Sequence, residues 1–149
     1  MATILLPPDF KDFLKLLHSE EVEYLVVGGY AVGYYGYPRA TGDLDIWIAS
    51  TPENAAKIVR VLKQFGFSES LVTPELFLKA DQVIRMGLPP LRIELLTSIS
   101  GLEFAEAYAQ RAVVLLDGLE THFISLADLK INKKAAGRLK DLSDLQQLP

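Results

Sequence analysis

The chain has 149 residues, 15 basic and 19 acidic side chains, a net charge of -4 and an isoelectric point near 5.2, and half of it is hydrophobic. That length suits one well-cored domain, 1–149, and the composition excludes a disordered or fibrous chain. The absence of cysteine excludes disulfides, thiol nucleophiles and cysteine-ligated metals; two histidines, His18 and His122, are too few for a histidine-rich metal site; and the acidic balance excludes coating nucleic acid by charge alone.

In chain order, Asp9 is placed to cap a first helix with Phe10, Phe13, Leu14, Leu16 and Leu17 as its buried stripe. Before it, the segment Met1 to Pro8 lacks a basic region, and its apolar run is broken by prolines, so no targeting signal is expected. Tyr24-Leu25-Val26-Val27 reads as a buried strand closed by Gly28-Gly29, with a short helix or turn from Tyr30 to about Gly36. The uncharged stretch Tyr24 to Pro38 is too short to span a bilayer and holds four glycines, so a cytoplasmic protein with no membrane partner is expected. Asp43 to Ala49 alternates as a strand, with Leu44, Ile46 and Ile48 on one face and Asp43, Asp45 and Trp47 on the other.

Thr51-Pro52 opens a helix whose apolar face is Ala55, Ile58, Val59 and Leu62, and Gly66 stands at its C-terminal end. Val72 to Ala80 is ambiguous, with a short helix from Pro74 as one reading. Gln82 to Met86 and Leu91 to Leu96 are strands, Glu103 to Gln110 a helix, and Ala112 to Leu116 and Glu120 to Ile124 a hairpin around Asp117-Gly118. Ser125 with Asp128 resembles a capping box opening a helix to about Ala136, and a last helix runs from about Arg138 to Leu148. The order predicts a single-domain α/β (α+β) fold, a mixed sheet flanked by helices.

The chemistry gathers in Gly28 to Ala49. Asp43 and Asp45 lie two apart on a strand, so both carboxylates project from one face. Two such charges about 4 Å apart repel by roughly 4 kcal/mol at an effective dielectric of about 20. A divalent cation removes that penalty, and hard carboxylate oxygens suit Mg²⁺ or Mn²⁺. An Asp-x-Asp among nine aspartates is weak evidence by itself, and its position beside a strand-ending glycine pair raises it. Glycines there allow close backbone approach and free helix-start amides to cradle phosphate, although a plain tight turn has the same composition.

Glu94 is a third acid, mid-strand between Ile93 and Leu95, where burial requires a partner: a metal, or Arg92, Arg85 or Arg39. Lys130, Lys134 and Arg138 recur at i, i+4 and i+8, one helix face if no kink intervenes near Gly137, with Lys133 and Lys140 beside them. They bind triphosphate or RNA backbone, or they form an ordinary solvated face, with Asp141 orienting Arg138. Tyr30, Tyr34, Tyr35 and Tyr37 either line a nucleoside pocket or pack the helix on the sheet. Trp47 reads as core rather than a base platform, and His122 as a strand residue rather than a ligand.

Gly28-Gly29, Asp43-Leu44-Asp45 and Glu94 together resemble the nucleotidyltransferases of the DNA polymerase β-like superfamily: strand, glycine pair, Asp-x-Asp about ten residues on, then an acid on a neighbouring strand. Arg39-Ala40-Thr41-Gly42 and the segment Asn132 to Asp141 are similar to minimal nucleotidyltransferases and AbiEii-like toxins, so the likeness runs from about Val22 to Leu148. The family's third acid is usually aspartate, one methylene shorter than Glu94. The chain also stops at Pro149, without length for the helical domain that holds an acceptor in larger relatives.

The resemblance implies an Mg²⁺- or Mn²⁺-dependent enzyme that moves a nucleoside monophosphate from a nucleoside triphosphate such as ATP to an acceptor hydroxyl on a protein, an RNA or a small molecule. It also implies a place in a toxin–antitoxin pair. Asp43, Asp45 and Glu94 would be the catalytic and metal-holding acids. Gly28, Gly29, Arg39, Thr41, Lys130, Lys134 and Arg138 would hold the nucleotide. The other readings are a nucleotide-binding or regulatory protein of this fold that no longer transfers, and a metal-dependent phosphohydrolase.

Overall fold

Local punctuation sets most element boundaries. Thr51 Oγ1 accepts the amide of Asn54 at 3.2 Å, Pro52 fills the first turn, and Gly66 leaves the helix at φ 115°, so the segment between them is helical. The computed structural model describes residues 6–36, 41–67, 72–87 and 91–149. Its elements are α1 (Pro8–Ser19), β1 (Tyr24–Val27), α2 (Gly28–Tyr35), β2 (Asp43–Ile48), α3 (Pro52–Phe65), β3 (Val83–Met86), β4 (Arg92–Leu96), α4 (Phe104–Ala109), β5 (Ala112–Leu116), β6 (Leu119–Phe123), α5 (Leu126–Ala136) and α6 (Leu139–Gln147), with a 3₁₀ turn at Pro74–Phe77.

The strands form one six-stranded mixed sheet in the order β3-β4-β2-β1-β6-β5. β2 lies between β1, antiparallel to it, and β4, parallel to it. Leu25 and Val26 of β1 and Leu44, Ile46 and Ile48 of β2 are fully buried. Against this sheet α1 contributes Phe13, Leu14 and Leu17, and Phe13 meets Phe65 of α3 edge-on at 5.1 Å. Asn54 is a buried polar tie: it accepts from the Glu23 amide and donates to the carbonyls of Glu23 and Ala49, fixing the start of α3 to the ends of β1 and β2.

Three sequence expectations need correction. Asp9 does not cap α1; the helix starts at Pro8, since proline at the first position is preorganised for helix, and Asp9 sits within the first turn. Gly28 and Gly29 are not a turn ahead of a helix at Tyr30; they are the first turn of α2, and β1 runs into it without a loop. Lys130, Lys134 and Arg138 do not share a helix face, because Gly137 at φ 67° ends α5 and Arg138 caps α6. The hairpin is as expected: Asp117 (φ 52°) and Gly118 (φ 76°) form a two-residue turn of the type that matches strand twist. Among the described residues no helix is long and apolar enough to cross a membrane.

The α5–α6 corner is held by charge. Lys133 of α5 is buried, with Nζ 3.2 Å from Asp141 Oδ1 and 3.1 Å from Asp144 Oδ2 of α6, both buried too. Removing one partner from a buried ion network costs about 3–5 kcal/mol. Lys133→Met, similar in shape but uncharged, is therefore expected to lower the thermal unfolding midpoint by roughly 10 °C. A midpoint within a degree or two of wild type would show that the network contributes little net stability.

Candidate active site

The junction of β1 and α2 builds the site. Val27, the last residue of β1, lies directly opposite Asp45 on β2. Gly28 adopts φ 66°, and a Cβ there would lie 2.1 Å from Asp45 Oδ2. Both constraints demand glycine: the backbone conformation, and the space that the carboxylate occupies. A Cβ on Gly29 would lie 2.9 Å from Thr41 Oγ1. Thr41 leads into β2 through weak bonds of its hydroxyl with the Asp43 backbone, at 3.4 Å. The glycine pair thus brings the start of α2 against the carboxylate strand.

Strand register then assembles the acids. Asp45 pairs with Glu94, Asp43 with Arg92, and Glu94 with Arg85 across β2, β4 and β3. Arg92 Nε and Nη2 donate to the two oxygens of Asp43 at 3.1 and 3.4 Å, and Arg85 Nε donates to Glu94 Oε1 at 3.0 Å. Among the described residues no arginine pairs with Asp45, and its Oδ1 is buried without a hydrogen-bond partner. Burial, foremost, then the charge of Glu94, a hydrogen bond shared with it, and the charge of Asp43 push the Asp45 carboxyl up to about 7, against a smaller opposing effect of Lys140. A buried, unpartnered carboxylate oxygen beside a second carboxylate is the environment in which a divalent cation would offset the largest penalty. The donor set of Asp45 and Glu94 therefore fits a hard cation. Asp43 is held by Arg92.

A cleft of about 290 Å³ lies over this pair, lined by Gly28, Gly29, Asp45 and Glu94 and also by Arg138 and Lys140. Arg138 is fixed by Asp141, which accepts from its backbone amide and from both Nε (2.7 Å) and Nη2 (3.2 Å). These bonds, first among the causes, hold the Asp141 carboxyl below its ordinary value despite burial. Asp141 thus orients Arg138, as expected, and grips Lys133 as well. Lys134 is exposed and Lys130 bonds the C-terminal Pro149 oxygen; neither lines the cleft. Arg39 and Tyr37 lie outside the described residues.

The aromatic residues are packing groups. Tyr30 meets Phe10, Tyr34 meets Tyr35 and Phe123, and the Tyr35 hydroxyl donates to the Ile124 carbonyl at 2.7 Å, so α2 is pinned to the core. Trp47 is buried against Phe104 of α4. Lys140 is the cleft residue whose part was hardest to foresee. In the sequence it stands among the tail cations, and its place in the cleft with Asp45 follows the bend at Gly137.

Comparison with known proteins agrees with this fold. A family profile described as a nucleotidyltransferase of unknown function, DUF6036, matches residues 9–148. A crystal structure from Thermotoga maritima assigned as a nucleotidyltransferase superposes with a TM-score of 0.65 at 17% identity, over 96% of this chain and 94% of that one. The lincosamide antibiotic adenylyltransferase LnuA, with lincomycin bound, superposes with a TM-score of 0.57 at 10% identity, over 97% of each chain. No curated protein matches the sequence.

The raised Asp45 carboxyl has a consequence for stability. Unfolded, it titrates at its ordinary value of 3.8; folded, at about 7. The folded state keeps a proton that the unfolded chain releases, so this contribution is full below pH 4 and is lost as pH rises to 7. Asp45→Asn removes the titration. The variant's midpoint minus that of wild type is expected to grow from pH 4 to 7 in metal-free buffer and to level off above; a constant difference would contradict the raised value.

Proposed function

The chain belongs to the DUF6036 family of nucleotidyltransferases of unknown function, and from that membership we propose that it transfers a nucleoside monophosphate from a nucleoside triphosphate to an acceptor hydroxyl. The observation that carries this reading is the Asp45–Glu94 carboxylate pair, one oxygen of which is buried without a partner, set against the glycine start of α2. Gly28 and Gly29 give backbone amides to the phosphates at a helix N-terminus. Lys140 and Arg138, which line the same cleft, offset the remaining phosphate charge. Asp45 with Glu94, and Asp43 once released from Arg92, would hold a divalent cation of the Mg²⁺ or Mn²⁺ kind, which would offset triphosphate charge and lower the pKa of the acceptor hydroxyl.

Glu94 takes the proton as the acceptor oxygen bonds to the α-phosphorus, and the bond to the leaving pyrophosphate breaks. Arg92 holds Asp43 until substrate arrives, which offsets part of the repulsion among the acids of β2 and β4. ATP is the first donor to try, since the structural neighbour LnuA is named an adenylyltransferase. A toxin role would appear as growth arrest on expression, relieved by Asp45→Asn.

A second reading has its own observation: Arg92 and Arg85 engage two of the three acids. Were those pairs permanent, the protein would bind nucleotide without transferring it. Thermal stability with each nucleoside triphosphate, with and without Mg²⁺, separates these outcomes from no binding at all. At 100 times its dissociation constant a ligand adds about 2.7 kcal/mol, a rise of roughly 5–10 °C. The rise is expected to need Mg²⁺ and to vanish in Asp43→Asn/Asp45→Asn. Label from an α-phosphate-labelled nucleotide then moves to an acceptor with wild type and not with the double variant. Binding without transfer against protein, RNA and small-molecule pools would favour the second reading, and transfer by the double variant would overturn the assignment of the two acids.

A further inference from the structure

Away from the cleft, the two histidines of the chain meet. His18 ends α1 and His122 stands on β6, and their rings lie 5.5 Å apart. With Glu120 of β6 they are the one trio among the described residues whose ligand atoms all lie within 4.8 Å of one another. His18 Nε2 and His122 Nδ1 are both buried and have no hydrogen-bond partner. Buried imidazole nitrogens normally find one, so each lacks the group its geometry calls for.

We propose that His18, Glu120 and His122 form a second metal site, for a divalent transition ion of the Zn²⁺ class. Two imidazoles and a carboxylate are a common zinc donor set. Tetrahedral bonds of about 2.1 Å place ligand atoms roughly 3.4 Å apart, so modest closure of side chains completes the site and leaves the fourth position to water. The pocket gives the ion a defined surrounding: Tyr24 stacks on His122 at 5.3 Å, Tyr108 meets it edge-on at 5.9 Å, and Tyr24 Oη accepts the His122 amide.

The site is separate from the carboxylate pair. Tyr24 begins β1 and Val27, beside Asp45, ends it, which puts the two roughly 10 Å apart along the strand. The bound ion would fasten the end of α1 to β6, joining parts of the chain that sequence separates widely.

The test is titration of the purified full chain with Zn²⁺ alone, by calorimetry, and with Co²⁺, whose visible absorption intensifies on tetrahedral coordination. In Asp43→Asn/Asp45→Asn, which removes the carboxylate cation site, one ion per chain is expected, and wild type binds an ion with that same affinity. His122→Phe, which keeps the ring packing, and His18→Gln are each expected to weaken binding by at least about 10–100-fold, and Glu120→Gln by about 10-fold. Circular dichroism and the midpoint of the metal-free variants check that they fold. Binding that survives both histidine changes, that disappears with the two aspartates, or that is absent in folded wild type would overturn the proposal.

Discussion

The carboxylate of Asp45 occupies the space that a Cβ at position 28 would fill, and much of the site's arrangement depends on that close approach. Because residue 28 has no side chain, β1 turns directly into α2 with its first turn against β2. The same residue must adopt a positive φ, so geometry and space impose one choice. The result is a carboxylate with one oxygen shut away from water, beside the freed amides of a helix start. An acid and the partial positive charge of a helix start thus lie side by side.

Carboxylates this close repel one another, and the flanking cations show how that is managed. Parallel pairing of β2 with β4 puts Asp45 beside Glu94 and Asp43 beside Arg92; antiparallel pairing of β3 adds Arg85 to Glu94. Two acids are thereby partnered by exposed or half-exposed arginines, whose pairs are weak enough to exchange for a ligand. Among the described residues Asp45 has no arginine, and burial with the charge of Glu94 raises its carboxyl to about 7, so protonation offsets its penalty. A cation that binds there must displace that proton, so binding and pH are linked at this carboxyl.

How far the sequence disclosed all this varies with the range of the interaction. Local devices were legible: the Thr51 cap and Gly66 stop of α3, the Asp117-Gly118 turn, the Ser125 cap of α5, and the period-2 alternation that aligned Asp43 with Asp45. The acids of the site were legible because motif spacing and strand face coincide. Partner choice was not, since Arg92 rather than Arg85 meets Asp43 only through strand register, which a sequence states weakly. The straight basic face was misread because a glycine in a helical pattern is either tolerated or a stop, and Gly137 is a stop in the left-handed region. The meeting of His18 with His122 left no trace in the pattern at all, as it depends on α1 packing beside β6.

That stop at Gly137 is also what turns the basic segment toward the cleft. Had α5 continued, its lysines would have spread along one solvated face. The break instead folds α6 back on α5, and Lys133 is buried between Asp141 and Asp144 at the bend. Asp141, already committed to Lys133, also takes the amide and guanidinium of Arg138, so one buried acid fixes both the corner and the cation at its rim. Lys140, one residue before that acid, is carried into the cleft with Asp45, where its charge lowers the carboxyl's affinity for its proton. A buried ion pair is often no more stabilising than an apolar replacement. Here its consequence is positional: the cations of the cleft stand on a corner that only this network sets, which ties the packing of the last two helices to the charge that a phosphate group would meet.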